Sequence, residues 1–304
     1  LYKEDPSGRI IRECSKGIRE KEMLMVSEET VKRLEKIALK MRLDILEMVG
    51  VGKAGHLGGS SSCADIVASL YFYKMKIDPN NPRAEDRDRF LLSKGHGALA
   101  QYAALVELGY IPREEMKKTK TLEGMLQGHP DMKKTPGIEA NTGSLGQGLS
   151  IAVGMALGLR LDKKPNRVYV IVGDGELAEG QIWEAVMCAS YYRLDNLIAI
   201  VDNNRLQATG PIEERFNIFP IAPKWEAFGW YVKEIDGHNI REIVETLDEL
   251  DNIQGKPKVI IAKTIKGKGF SFAENNPAFH NSPLTEEQYL QAKRELEKQI
   301  ERWN

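Results

Sequence analysis

Apolar residues recur at steps of three and four through Val31, Leu34, Ala38, Met41, Ile45 and Met48, with charged residues on the remaining positions of 28–49. That spacing predicts an amphipathic helix, and Ser27 stands where an N-cap belongs. Segments 61–75, 96–108 and 146–161 read as further helices, the last two rich in Ala and Gly and so expected to be buried. Short apolar runs at 90–93, 168–172, 197–201, 232–235 and 259–264 have the length and composition of buried strands. Helices fall between most of them. The pattern therefore predicts an α/β fold with a largely parallel sheet flanked by helices.

Two connections, 205–223 and 267–283, carry no regular period and are expected to be long loops, both starting just past a strand end. Loops of that length usually have a task. The last segment, 285–303, is charged but lines up Tyr289, Ala292, Leu296, Ile300 and Trp303 on one face. It should cap the domain or lie against a partner.

The chemistry concentrates in 166–206. One run ends in Gly173-Asp174-Gly175 and the next in Asp202-Asn203-Asn204, while Ile182, Ala185, Val186, Ala189 and Tyr192 mark a helix between them. Such a strand–helix–strand unit is a right-handed crossover, so Asp174 and Asn204 leave from the carboxyl ends of two parallel strands. Ligands collect at those ends, and a helix amino terminus near 179–181 favours phosphate. An aspartate, an amide oxygen and a backbone carbonyl are hard ligands too few to cage a cation alone. They suit Mg2+ or Ca2+ that shares its other positions with phosphate oxygens and water. Each tripeptide alone is an ordinary turn. Their separation by a clean crossover makes the pair informative.

Composition narrows the alternatives. The 304 residues suffice for a large core, and with no Pro/Ser-rich linker or internal repeat one α/β domain over 28–304 is expected, preceded by an extension at 1–27 that starts with Leu1. Lys and Arg number 43 against 44 Asp and Glu, which offers no basic field for nucleic acid. No apolar run approaches the roughly 20 residues of a membrane span. Three cysteines, Cys14, Cys63 and Cys188, lack metal-ligand spacing and fit a reduced, cytoplasmic setting. The string from Gly50 to Gly55 matches G-x-G-x-x-G, but a helix precedes it where a dinucleotide site needs a strand. Four histidines, His56, His96, His129 and His280, sit beside Gly, Pro or Asn in predicted loops, and His238 in Asp-Gly-His-Asn looks similar.

Taken together, KAGHLGG at 53–59, SKGHG at 93–97, GHP at 128–130, TGSLGQG at 142–148, the GDG and NN pair, and Phe279-His280 resemble the transketolase family over 31–284. The likeness is to its amino-terminal part, the diphosphate-binding domain of a thiamine diphosphate-binding fold. It implies that Asp174, Asn204 and the backbone carbonyl of Leu206 hold Mg2+, with Ca2+ or Mn2+ as alternatives, while Gly175 approaches the diphosphate. It implies that His96 hydrogen-bonds the diphosphate, and that His280 lies between it and the substrate. His56 and His129 would contact sugar hydroxyls, and His56, His129 and His280 are the candidate catalytic residues, imidazole being suited to proton transfer near neutral pH. Gly143, Ser144 and Leu145 would hold the middle of the cofactor, and Glu179 would stand where two chains of the enzyme meet. The likeness leaves His238 in an ordinary role. Ser144 and Leu57 stand where most full-length members have Pro.

In that family the glutamate that activates the cofactor and the groups gripping the sugar phosphate belong to a second domain. The resemblance thus implies a split enzyme of the pentose phosphate type. This amino-terminal subunit would join a separate carboxy-terminal transketolase subunit in a hetero-tetramer, moving a two-carbon ketol unit from a ketose phosphate to an aldose phosphate. The terminal helix running to Trp303-Asn304 without a linker favours a natural subunit over a truncated piece. The alternatives are a deoxyxylulose phosphate synthase-like or branched-sugar relative, or a non-catalytic cofactor-binding subunit.

Overall fold

The computed structural model describes residues 2–4, 10–12 and 26–302. Strands β1 (Tyr2–Glu4) and β2 (Ile10–Arg12) pair antiparallel within the segment expected to be an extension. From there helix α1 (Glu28–Val49) begins as the periodicity requires, with the Ser27 hydroxyl accepting from the Thr30 N–H. Five strands, β3 (Arg89–Leu92), β4 (Val168–Gly173), β5 (Leu197–Asn203), β8 (Tyr231–Asp236) and β9 (Lys258–Lys263), form one wholly parallel sheet in the order β3-β4-β5-β9-β8. Every residue of β4 and β5 is buried, which explains their unbroken apolar runs.

Alternation along the strands sorts the core into two layers. Phe90, Leu92, Tyr169, Ile171, Ile198, Ile200 and Ile260 face α1, α3 (Ala64–Ser69), α4 (Ala98–Glu107) and α9 (Ile240–Glu249). Leu91, Val170, Val172, Ala199, Val201 and Ile261 face α5 (Gln147–Leu161), α6 (Gly180–Tyr191) and the Trp225–Trp230 pair. The register Gly173↔Asp202 and Asn203↔Lys263 brings the carboxyl ends of the three central strands level. Everything that follows β4, β5 and β9 therefore opens on one edge.

Three expectations change. The helix expected at 61–75 starts earlier, as α2 (Leu57–Ser61), breaks at Ser62-Cys63, and after α3 ends in a wide π turn, Leu70–Lys74. Its serines are the cause: Ser60, Ser61 and Ser62 hydroxyls bond back to the carbonyls of His56, Leu57 and Gly59 and compete with the helical ladder. The stretch 205–223 is not irregular throughout. It folds into a hairpin of β6 (Leu206–Gln207) and β7 (Gly210–Pro211), a short helix α7 (Ile212–Arg215), and the start of α8 (Ala222–Ala227). Finally, α4 is buried from Ala98 to Val106, but α5 is not buried throughout: Leu161 is 82% exposed and Gly154 has open space around it.

Helix α10 (Glu286–Glu301) carries a capping box between Thr285 and Gln288 and buries Ala292 and Leu296 against α1. It caps this domain, and Trp303 of the expected face lies outside the described residues. No helix among the described residues is long and apolar enough to cross a membrane.

Candidate active site

The turn after β4 is built by its own aspartate. Asp174 Oδ1 accepts from Gly175 N–H at 2.8 Å, starting a 3-10 turn (Gly175–Ala178), and Oδ2 accepts from Arg205 N–H at 2.5 Å across the sheet edge. Asn204 is held similarly, its Oδ1 accepting from Leu206 N–H at 3.1 Å. The two side chains and the Leu206 backbone line one cavity of about 510 Å3 together with His96, Leu145, Gly175, Glu179, Lys266 and His280. That is the size of a ligand pocket.

His96 and His280, which line it, belong to a cluster of four imidazoles. Ring centroids lie 5.0 Å apart for His96–His280, 5.4 Å for His56–His96, 5.4 Å for His56–His280 and 6.2 Å for His56–His129. His129 is the exposed outer member. Gly143 lies against it at φ +145°, where a Cβ would come within 2.9 Å of the His129 ring. A Cβ on Gly95 would come within 2.7 Å of Gly143 N, so the loop bearing His96 and the 142–148 loop meet backbone to backbone. Ser144 is exposed beside this contact, and Glu179 is exposed at the rim. His238 stays outside: its Nε2 accepts from Ile265 N–H at 2.8 Å, so Nδ1–H donates to Asp65 at 2.7 Å. Both nitrogens are used in holding the fold.

The electrostatics of the cavity lean toward neutrality. Burial, then the neighbouring Asp202, pushes the Asp174 carboxyl up to about 7. Burial lowers His56 to about 3, His96 to about 2 and His280 to about 4, with adjacent cationic groups adding to the effect. These rings are neutral at physiological pH. Burial also brings Lys266 down to about 8, opposed by Asp174. Its ammonium donates to the Leu206 carbonyl at 2.8 Å and faces His280 Nδ1 at 2.9 Å. An ammonium cannot accept, so Nδ1 is the acceptor and the His280 proton sits on Nε2.

Four residues that the sequence did not single out complete the site. Lys266 is one. Glu176, 2% exposed, accepts from Ser93 Oγ at 2.5 Å and from Gly146 and Gly173 N–H at 2.9 Å each, tying the 142–148 loop to the turn after β4. Lys94 and Asp202 form a buried ion pair at 2.5 Å beneath the histidines. Burial would neutralise each, but the partner wins: Lys94 is held above the ordinary lysine value and Asp202 below the usual carboxylate range. Lys94 lies inside SKGHG and Asp202 two residues before Asn204, yet no local signal marks them as partners.

The donor set fits a divalent cation with a diphosphate. Among the described residues no cluster of three His, Cys, Asp or Glu side chains exists to hold a metal alone. The Asp174 carboxyl, the Asn204 amide oxygen and the Leu206 carbonyl instead form a partial oxygen shell beside two lysines.

Residues 34–301 match the family described as "Transketolase, thiamine diphosphate binding domain". The chain belongs to the transketolase family. It is 52% identical over 254 residues to the 6-deoxy-6-sulfo-D-fructose transketolase subunit SqwG of Clostridium sp. (strain MSTE9), covering 84% of this chain and 92% of that protein. Against an apulose-4-phosphate transketolase subunit from Phocaeicola vulgatus the identity is 43% over 272 residues, 90% of this chain and 96% of that one. The solved transketolase from Leishmania mexicana superposes with a TM-score of 0.80 at 30% identity, over 92% of this chain and 45% of that chain. The chain thus spans nearly all of two named transketolase subunits, but about half the length of the solved single-chain transketolase.

Proposed function

We propose that this chain is the diphosphate-binding subunit of a split, cytoplasmic transketolase that moves a two-carbon ketol unit from an anionic ketose to an aldose phosphate. The observation that carries the reading is that Asp174, Asn204 and Leu206 line one cavity with His96 and His280, two members of a cluster of four imidazoles. Asp174, Asn204 and the Leu206 carbonyl would hold Mg2+, and His96 and Lys266 would face the diphosphate. Thiamine diphosphate, when bound, supplies an electron sink for breaking the bond next to a ketose carbonyl. His56, neutral at physiological pH, would take a hydroxyl proton, and His280, with its proton on Nε2, would donate a hydrogen bond.

Two observations support a partner chain. The chain spans 92% and 96% of two relatives that are themselves named transketolase subunits, against 45% of the solved single-chain enzyme. In addition α5 and α6 present Leu161, Met187 and Tyr191 to solvent, with open space at Gly154 and Gly158, an apolar face of the kind that partner chains cover. As donor, the names of the two relatives point to ketoses with a sulfonate or phosphate terminus.

The test is reconstitution. Mixed with its partner chain, thiamine diphosphate and Mg2+, the protein should transfer two carbons from fructose 6-phosphate or 6-deoxy-6-sulfofructose to an aldose phosphate, with products resolved by mass spectrometry. Full transfer by this chain alone would refute the split reading.

A further inference from the structure

Asp202 sits at the end of β5, 0% exposed, and every contact of its carboxylate is with a donor. Oδ2 accepts from Lys94 Nζ at 2.5 Å, Ser62 Oγ at 2.6 Å and Asn204 Nδ2 at 3.1 Å, and Oδ1 from Thr264 Oγ1 at 2.5 Å. Lys94 also donates to the Gly59 carbonyl at 2.5 Å. This one carboxylate therefore joins the segments leading to His96, following His56 and preceding Lys266.

The consequence for Asn204 is orientational. A side-chain amide has a donor end and an acceptor end, and at this site only one arrangement is tolerated. As found, the NH2 group meets a carboxylate and the oxygen meets the Leu206 N–H. Turned over, oxygen would oppose carboxylate and NH2 would oppose N–H, two repulsive contacts in place of two attractive ones. Four donors converge on Asp202, so it remains an acceptor. Asn204 must then turn its oxygen away from Asp202 and toward the cavity.

We propose that Asp202, locked by Lys94, Ser62 and Thr264, is a positioning residue for the cation site: it obliges Asn204 to offer an oxygen instead of an NH2 group. The inference rests on the cation reading of that site given above. Groups that orient a metal ligand without touching the metal are costly to remove.

The test uses the full chain with thiamine diphosphate, Mn2+ as the probe, and electron paramagnetic resonance as the readout. Lys94→Met/Asp202→Leu removes the acceptor together with its counter-charge, so nothing opposes the turned-over amide and Mn2+ affinity should fall by about 10–100-fold. Adding Asn204→Asp puts an oxygen at both ends of that side chain, which then needs no orienting, and should restore most of that affinity, which a merely structural role for Asp202 does not predict. Circular dichroism and thermal midpoints in EDTA report the fold. If Lys94→Met/Asp202→Leu does not fold, Lys94→Met/Asp202→Asn takes its place and should show a fall reversed in the same way by Asn204→Asp. Wild-type Mn2+ binding in a folded variant lacking Asp202, or an added Asn204→Asp that restores nothing in that variant, overturns the proposal. If the wild-type chain binds no Mn2+, the cation reading itself falls and this inference with it. If wild type and variants bind alike, only the inference falls.

Discussion

Two groups of charges lie at the same sheet edge and behave oppositely. In the lower group, Lys94 and Asp202, hydrogen bonds cancel each charge and protonation equilibria shift to reinforce it. The upper group, Asp174, Lys266 and the histidines, is cancelled only in part. There burial dominates, drawing the acid up and the bases down. The first pattern is that of a scaffold and the second that of a binding site, because ionisable groups left under-compensated inside a cavity gain most from a charged ligand. Sequence distance does not separate them, since Lys94 is two residues from His96 and Asp202 two from Asn204.

The comparison breaks most visibly if the two lysines are removed. Lys94→Met strands a carboxylate at 0% exposure and should lower ligand-free stability by about 3–5 kcal/mol in urea unfolding. Lys266→Met relieves a desolvated ammonium and should cost less than about 1 kcal/mol. Equal losses would erase the distinction between the groups.

A second contrast comes with ligand. Asp174→Asn keeps only one of the two backbone acceptors and should cost the ligand-free fold about 1–3 kcal/mol, but it should also abolish the stabilisation by thiamine diphosphate and Mg2+, about 2.7 kcal/mol at a hundredfold excess over Kd. Differential scanning fluorimetry with and without the pair reads this directly. A variant that keeps the ligand-induced shift would remove Asp174 from the cation site.

The effect of pH is smaller and its sign follows from the direction of the shifts. His56, His96 and His280 have folded values below their unfolded value of about 6.5, so the unfolded chain binds protons first as pH falls. Their contribution is present above pH ~6.5 and is lost progressively toward the folded values. Asp65 is also depressed, burial being outweighed by Arg42, so its contribution persists until pH falls below about 4. Asp174, raised by burial, contributes with the opposite sign over the same range, so the histidine effect is read as a difference: urea midpoints of His56→Asn should decline less between pH 7 and 4 than those of the parent chain. The smallest effect is expected at Glu179, exposed at the rim: Glu179→Gln should change ligand-free stability by less than about 0.5 kcal/mol.

Local chemistry wrote much of the fold into the chain. The three- and four-residue period of α1, its Ser27 cap and the unbroken apolar runs of β4 and β5 are properties of neighbouring residues, and they sufficed to place the elements and the parallel sheet. Asp174 and Asn204 were legible because one crossover unit fixes where both leave the sheet. The course of α2 and the hairpin after β5 were not, since serine back-bonding and a two-residue ladder carry no period.

The sequence by itself thus determined which residues end the strands, which side chains bring chemistry, and to which family the motifs belong. Only the tertiary structure decided that imidazoles 224 positions apart, His56 and His280, stand 5.4 Å from each other. It alone paired Lys94 with Asp202 and set Lys266 against the Leu206 carbonyl. The physical reason is range: capping and periodicity act within a few residues along the chain, whereas desolvation and charge compensation depend on what the folded sheet brings near, whatever its place in the sequence.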